Sequence, residues 1–379
     1  MSLLKNYGGR FPLNFTYGKG SVLFDGKKDY IDFGSGIGVS SVGYGNEKLA
    51  KTISEQALKL IHTSNLYHIQ PQIDLANKLS KLAGFELFSF FANSGAEANE
   101  SAIKLARKYG KGERFEIITL KNSFHGRTLG SLSATGQKSL QKDFQPMVDG
   151  FIYAETVSEI EKLLNSKTVA VMLELVKGEG GVEALSKSEV QNLAKILKEK
   201  DILLIIDEVQ TGIYRTGKFL ASNIYDIQPD IITLAKGLAG GVPIGAMLTK
   251  LENGFSAGDH GSTFGGNFLS TSSAITVLEI LENVNLELKI AYFESKLDSL
   301  LHKFPNIFSE KTGLGLMRGL IVSSKIDVLE IVQNGNSAGI WTLKSGNNTL
   351  RFLPPLTISH DEIDKGFYRL EKVLEKIDG

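Results

Sequence analysis

Two short apolar runs in this chain end in groups that can move protons. Asp201-Ile-Leu-Leu-Ile-Ile-Asp207-Glu-Val-Gln210 places a carboxylate at the end of one, and Asp230-Ile-Ile-Thr-Leu-Ala235 delivers Lys236 at the end of the other. Each run is short, rich in β-branched residues and uncharged inside, which predicts a strand buried on both faces of a parallel sheet. In open α/β sheets the carboxyl ends of such strands open onto the ligand crevice. The acid and the amine are therefore expected to face one pocket. A lysine aimed into a pocket can form a Schiff base, and an aspartate can keep a pyridinium nitrogen protonated. The pairing points to pyridoxal phosphate chemistry.

The hydrophobic pattern supplies the elements that must hold such a pair. Strand-like runs recur at 87–92, 115–120, 169–175, 202–206, 231–235 and 243–248, with amphipathic helical patterns at 98–109, 157–164 and 188–197. This alternation predicts an α/β fold, a mainly parallel sheet flanked by helices, in a large domain at 41–274. Residues 268–305 read as nearly continuous helix, followed by strand candidates at 316–322 and 349–353 and a final helix from Asp361. We expect these in a smaller α+β domain of residues 275–379 and 1–40, the latter adding strands near 22–24 and 30–33.

Bulk composition excludes several classes. Lysine plus arginine number 42 against 42 aspartates and glutamates, so no net field favours nucleic acid or an acidic membrane. Cysteine is absent, which removes disulfides and thiolate metal sites and fits a reducing cytoplasm. The first ten residues contain no apolar core of a signal peptide. The uncharged stretch from Gly261 to Leu278 is too rich in Gly, Ser, Thr and Asn to span a bilayer. A length of 379 residues favours two domains.

Other segments could complete a cofactor site. Asn93-Ser94-Gly95-Ala96-Glu97 follows a strand and opens a helix, where free amides and the helix dipole suit a phosphate; a plain N-cap is the alternative. Gly212-Ile-Tyr-Arg-Thr-Gly217-Lys218 has P-loop spacing, but Phe219 replaces the magnesium-binding hydroxyl. Gly36-Ile-Gly38-Val-Ser-Ser41 lacks the third glycine of a dinucleotide fingerprint. The six histidines show no i,i+4 pair, so no metal site is expected. Ser123-Phe-His-Gly-Arg127, after a strand, offers a ring to stack and a guanidinium to clamp a carboxylate. Arg351, inside an apolar strand, requires a carboxylate partner from protein or substrate.

With these residues in place, the chain resembles the class III aminotransferases of fold type I, most closely the acetylornithine aminotransferases. The resemblance runs nearly end to end. It rests on Asn93-Ser-Gly-Ala-Glu-Ala-Asn-Glu100, Phe124-His-Gly-Arg127, Asp207-Glu-Val-Gln-Thr-Gly212, Thr233-Leu-Ala-Lys-Gly237, Gly261-Ser-Thr-Phe-Gly-Gly-Asn267 and Leu350-Arg-Phe352. Two segments depart from the family pattern. Glu174-Leu-Val-Lys177 stands for the usual Glu-Pro-Ile-Gln, and Asn46-Glu47 for His-Pro. Lys177, expected near the pocket, bears on substrate preference.

The resemblance implies a role for each motif residue. Lys236 would bond pyridoxal 5′-phosphate and then act as the base in the proton shift, while Asp207 pairs with the ring nitrogen. Phe124 and Val209 would sandwich the ring and Gln210 would bond its 3′-oxygen. Ser94, Gly95 and Ala96 would hold the phosphate, and Glu208 is expected among the cofactor contacts. Thr263 would reach the phosphate in the neighbouring subunit, implying a homodimer with shared sites. Ser262 and Arg127 match contacts to the acylated amine. Arg351 matches the arginine that takes the α-carboxylate of glutamate, and Glu179 the acid that pairs with it otherwise. The implied reaction moves the δ-amino group of N-acetylornithine to 2-oxoglutarate, in cytoplasmic arginine biosynthesis. Succinyl-diaminopimelate, ornithine or 4-aminobutyrate as donor, a semialdehyde aminomutase and a non-catalytic cofactor-binding scaffold are the alternatives.

Overall fold

The computed structural model describes residues 4, 6 and 10–378. The other N-terminal positions, including most of the segment inspected for a signal peptide, lie outside the described residues. Seven strands form the main sheet: β1 (Phe88–Ala92), β2 (Glu116–Leu120), β3 (Phe151–Ala154), β4 (Thr168–Leu173), β5 (Leu203–Asp207), β6 (Ile231–Leu234) and β7 (Gly245–Thr249). Their spatial order is β1-β7-β6-β5-β4-β2-β3. Strand β7 runs antiparallel to both neighbours, and the remaining pairs are parallel. The expected sheet is thus present, with one reversed strand whose direction no residue pattern encodes. β3 was not anticipated, because four residues at a sheet edge, three of them only partly buried, make too short a run to stand out.

Strands β4, β5 and β6 are buried along their whole length. In β4 and β5 the two-residue periodicity sends side chains to two separate cores. Val171, Leu173, Leu204 and Ile206 pack with Ile160 and Leu193 from helices Val157–Leu163 and Lys187–Glu199. Ala170, Met172, Leu203 and Ile205 pack on the opposite face against Ala102, Ile103 and Leu105 of helix α1 (Gly95–Tyr109). Each large aliphatic side chain so buried contributes about 1.5–3 kcal/mol. The β5–β6 register sets Asp207 beside Thr233, three residues before Lys236.

The helical stretch after the sheet resolves into Phe268–Glu282 and Leu286–Lys303. The break has a local cause, since the Asn285 side chain accepts from Leu288 N at 3.3 Å and caps the second helix. Beyond lies an antiparallel sheet of Phe308–Leu314, Met317–Val322, Thr349–Phe352 and Leu343–Ser345, in which Arg351 sits between Gly319 and Leu343. The final helix spans His360–Asp378. Near the N-terminus, Tyr17–Lys19, Val22–Phe24 and Asp29–Asp32 form antiparallel strands, and the last lies parallel beside Ile340–Trp341. A single apolar cluster runs from Leu79, Ile232 and Leu248 through Leu278 and Phe293 to Phe352 and Leu370. The packing that carries Arg351 is therefore continuous with that behind Lys236.

Candidate active site

Asp207 ends β5 with its carboxylate buried and fully engaged. Oδ2 accepts from Asn99 Nδ2 at 2.8 Å and lies 2.8 Å from His125 Nδ1, while Oδ1 accepts from Val209 N at 3.0 Å. Asn99 is held in turn, donating to the His125 carbonyl at 2.6 Å and accepting from Thr233 Oγ1 at 2.7 Å. Two strands, helix α1 and the loop after β2 therefore converge on one carboxylate. A carboxylate only accepts, so His125 Nδ1 carries the proton. Burial drives the His125 pKa down, but the hydrogen bond and charge of Asp207, with Glu174, outweigh it and the net shift is upward.

Lys236 opens a 3₁₀ turn, Lys236–Ala239, with φ of 39°. A left-handed lysine costs about 1–3 kcal/mol and persists only where its surroundings impose it. Here Ser41 Oγ donates to the next carbonyl, that of Gly237, at 2.7 Å. Burial pushes the Lys236 amine below the ordinary lysine range and the Arg351 guanidinium adds to this, against the pull of Asp207, Glu174 and Glu179. A depressed amine is a better nucleophile and base at neutral pH.

Around these two groups lies a cavity of about 430 Å³ whose wall includes Ser94, Gly95, Ala96, Phe124, Arg127, Val209 and Gln210. Ser94 Oγ caps α1, accepting from Glu97 N at 3.2 Å, so the first-turn amides of a 15-residue helix open onto this space. A Cβ on Gly95 would lie 2.7 Å from Val209 Cγ1, which explains the glycine. The Arg127 guanidinium lies 5.4 Å from the Phe124 ring centroid. Buried Gln210 Oε1 and His125 Nε2 have no partner among the described residues.

Arg351 is 3% exposed, and its Nη1 donates to Glu179 Oε1 at 2.7 Å and to the Gly178 carbonyl at 3.0 Å. Glu179 sits on the turn between the paired segments Val176–Lys177 and Glu183–Ala184. Lys177 spans that hairpin, its Nζ 2.6 Å from Glu183 Oε2, so its charge is neutralised away from the cavity.

Glu208 and Ser262 lie outside this cavity, as does Thr263, which is expected at the neighbouring subunit's cofactor. Glu208 is turned away from the cavity: its buried carboxylate accepts from Thr211 Oγ1, Ala221 N, Ser222 N and Ser222 Oγ at 2.6–2.9 Å. Strand alternation sends it to the face opposite Asp207, where it fastens the following loop. Thr263 and Ser262 line a separate hollow with His62 and Asn65. Ser262 Oγ still accepts from Asn93 Nδ2, at 3.3 Å. Two other residues at the site escaped the sequence reading. Asn99 lies one turn beyond Gly95, inside a motif already noted. Glu174 follows β4 as Asp207 ends β5, a carboxylate at the end of an apolar run. Its Oε2 accepts from Phe124 N at 2.8 Å, and burial pushes its pKa up to about 7.

The chain belongs to the class-III aminotransferase family, whose model matches residues 5–374. It is 52% identical over 385 residues to the acetylornithine aminotransferase of Wolinella succinogenes, covering 99% of this chain and 98% of that one. Identity to the acetylornithine aminotransferase of Aquifex aeolicus is 44%, over 99% of this chain and all of that one. The N-acetylornithine aminotransferase structure from Stenotrophomonas maltophilia superposes with a TM-score of 0.84 at 31% identity, over 98% of both chains. An ornithine aminotransferase from Toxoplasma gondii, described with pyridoxal phosphate partly occupying its active site, gives 0.90 at 29% identity, covering 98% and 92%.

Class-III aminotransferases use pyridoxal 5′-phosphate, and the cavity fits that group on its own evidence. It offers an anchored carboxylate for a pyridinium nitrogen, a depressed amine for an aldehyde and helix amides for a phosphate. The unpartnered Gln210 oxygen marks a polar contact that protein alone leaves unmade.

Proposed function

We propose that this chain is an N-acetylornithine transaminase of arginine biosynthesis, passing the δ-amino group to 2-oxoglutarate to give N-acetylglutamate 5-semialdehyde and glutamate. The observation that carries the reading is the Arg351–Glu179 pair at 2.7 Å, within electrostatic reach of Lys236. An enzyme that accepts a δ-amine in one half-reaction and an α-amino acid in the other needs a cation usable by one substrate and neutralised for the other. Glu179, on a glycine-flanked turn, suits that exchange.

Bound pyridoxal 5′-phosphate supplies an aldehyde for the amine and an electron sink. Lys236 would hold this group through Nζ and, freed when the substrate amine takes its place, would be the base that moves a proton from the amine-bearing carbon. Asp207, fixed by His125 and Asn99, keeps a cation at the ring nitrogen. Phe124 and Val209 would restrain the ring, Gln210 its oxygen, and the amides of Gly95 and Ala96 beside Ser94 the phosphate. Arg127 takes the α-carboxylate of the acylated amine, and Arg351 that of glutamate.

We infer a homodimer with shared sites, Ser262 and Thr263 acting at the partner's cavity. Support comes from the apolar surface beside their hollow, where Leu66 is 90% and Phe264 61% exposed. A sedimentation measurement giving a monomer at micromolar concentration would end that part. A cytoplasmic location accompanies the biosynthetic reading. Among the described residues no helix is long and apolar enough to cross a membrane. The deciding experiment is kcat/KM for N-acetylornithine, succinyl-diaminopimelate, ornithine and 4-aminobutyrate with 2-oxoglutarate. N-acetylornithine should lead; a better value for 4-aminobutyrate sinks the substrate assignment.

A further inference from the structure

The stretch Gly212–Lys218, set aside above as a failed P-loop, delivers Arg215 into the protein interior. This guanidinium is 2% exposed, and its Nη1 donates to the carbonyls of Leu316 at 3.1 Å and Pro354 at 2.6 Å. The contact is reciprocal, because Leu316 N donates to the Arg215 carbonyl at 3.0 Å. The backbones meet closely: a Cβ on Gly315 would fall 2.4 Å from the Thr216 carbonyl carbon.

The two carbonyls are not arbitrary points. Leu316 leads into the strand Met317–Val322 and Pro354 follows the strand Thr349–Phe352. These strands pair with Gly319 opposite Arg351. A residue in the loop after Asp207 thus clamps one end of the antiparallel strand pair that carries Arg351, the end at Arg318 and Phe352 beside it. The loop with Arg127 follows β2 instead and shares no bond with this clamp. Burying a guanidinium is costly, and the charge of buried Asp32 offsets part of that cost without bonding it directly.

We propose that Arg215 is a positioning residue that sets where Arg351 stands relative to Asp207 and Lys236, and thereby the affinity for the dicarboxylate substrate. This rests on the reading that Arg351 takes that substrate's α-carboxylate. Displacements of about 1 Å in a positioning group have large kinetic consequences.

The test compares holoenzyme with its Arg215→Lys variant, which keeps the charge but shortens the side chain and withdraws the Nη1 donor that serves both carbonyls. The half-reactions with glutamate and with N-acetylornithine are followed separately by cofactor absorbance. KM for glutamate should rise about tenfold with kcat held within about twofold, while KM for N-acetylornithine moves less than about twofold. Equal rises in both KM values, or a lower Tm with both unchanged, would overturn the proposal and leave Arg215 a fold-holding residue. Arg351→Ala is measured alongside. If it spares the glutamate KM, the reading of Arg351 fails and takes this proposal with it; if it is selective while Arg215→Lys is not, this proposal alone fails. A measurement without any variant covers misfolding. In wild-type holoenzyme, saturating glutamate should slow amide exchange at Leu316 at least about threefold more than N-acetylornithine does, and equal protection by both would refute the coupling.

Discussion

The two charged centres of this protein are built in opposite ways. At Asp207 both oxygens are occupied, by Val209 N on one side and by Asn99 and His125 on the other. Thr233 then holds Asn99 from the adjacent strand. At Arg351 the carboxylate partner is one residue on a glycine-flanked turn, its side chain 37% exposed, joined by a single 2.7 Å hydrogen bond, and Arg351 Nε has no partner among the described residues. A group that must stay put is bonded from several elements. Arg351, which must exchange partners, keeps one bond to the Gly178 carbonyl and one to a half-exposed carboxylate that water can replace on the Glu179 side. Arg351 itself, left buried and unpaired, would cost several kcal/mol, so Glu179 departs only when another carboxylate arrives.

Breaking the fixed centre should do the most damage. Lys236→Ala is expected to lower kcat by at least about 10⁴-fold, read as single-turnover absorbance with glutamate, and retained activity would remove Lys236 from the chemistry. The exchanging centre should fail selectively. Arg351→Ala should reduce kcat/KM for glutamate by about 100-fold, the loss of a charge-assisted hydrogen bond of roughly 2–3 kcal/mol. For N-acetylornithine the change should stay within about threefold, because Arg127 remains. Glu179→Gln should reverse that asymmetry, sparing glutamate and slowing the acylated amine. Matching losses in both half-reactions would dissolve the contrast between the two centres.

How much of this was legible depended on whether a signal was local. Asp207 and Lys236 stood out because each ends an uninterrupted apolar run, and parallel-strand physics says where such ends point. The same logic applies to Glu174 after β4, where the run Thr168–Leu173 is equally apolar. Leu175 and Val176 extend the pattern past the acid, so the end of the strand was invisible. Glu208 shows the converse failure. It adjoins Asp207 in a cofactor motif, but neighbours in extended chain face opposite ways, and its side chain binds Ala221 and Ser222 amides supplied by later sequence. Arg215 could not be read at all, since its partners are main-chain carbonyls a hundred or more residues distant. The reversed direction of β7 is likewise a product of tertiary arrangement.

Glu174 offers a way to sharpen the comparison, because it sits at the fixed centre yet titrates near neutrality. Burial raises it from an ordinary 4.5 to about 7, Asp207 acts in the same direction, and His125, the Phe124 amide and Lys236 oppose. The folded state therefore keeps a proton that the unfolded chain releases above about pH 4.5. Its contribution to stability is full below that value and is lost as pH rises toward 7. Glu174→Gln keeps an acceptor for Phe124 N and removes the titration. The variant's Tm should consequently fall less between pH 5 and 7, by about 2–4 °C, and any inflection of kcat near pH 7 should flatten. An unaltered Tm slope would place the proton on another group of this network.

The smallest effect is expected at Lys177, the departure that most invited a change of substrate. Its ammonium is 2.6 Å from Glu183 across the hairpin that presents Glu179. Its charge is thus cancelled two residues away from the exchanging acid, on the neighbouring strand. Lys177→Gln removes an ion pair between a buried ammonium and an exposed carboxylate but leaves a side chain able to bond Glu183. The ranking of amine donors should be unchanged, with each kcat/KM within about threefold. The hairpin should loosen slightly, seen as faster amide exchange at Glu183. A switch in preferred donor would mean that Lys177 acts on substrate directly and that the exchanging centre extends beyond Arg351 and Glu179.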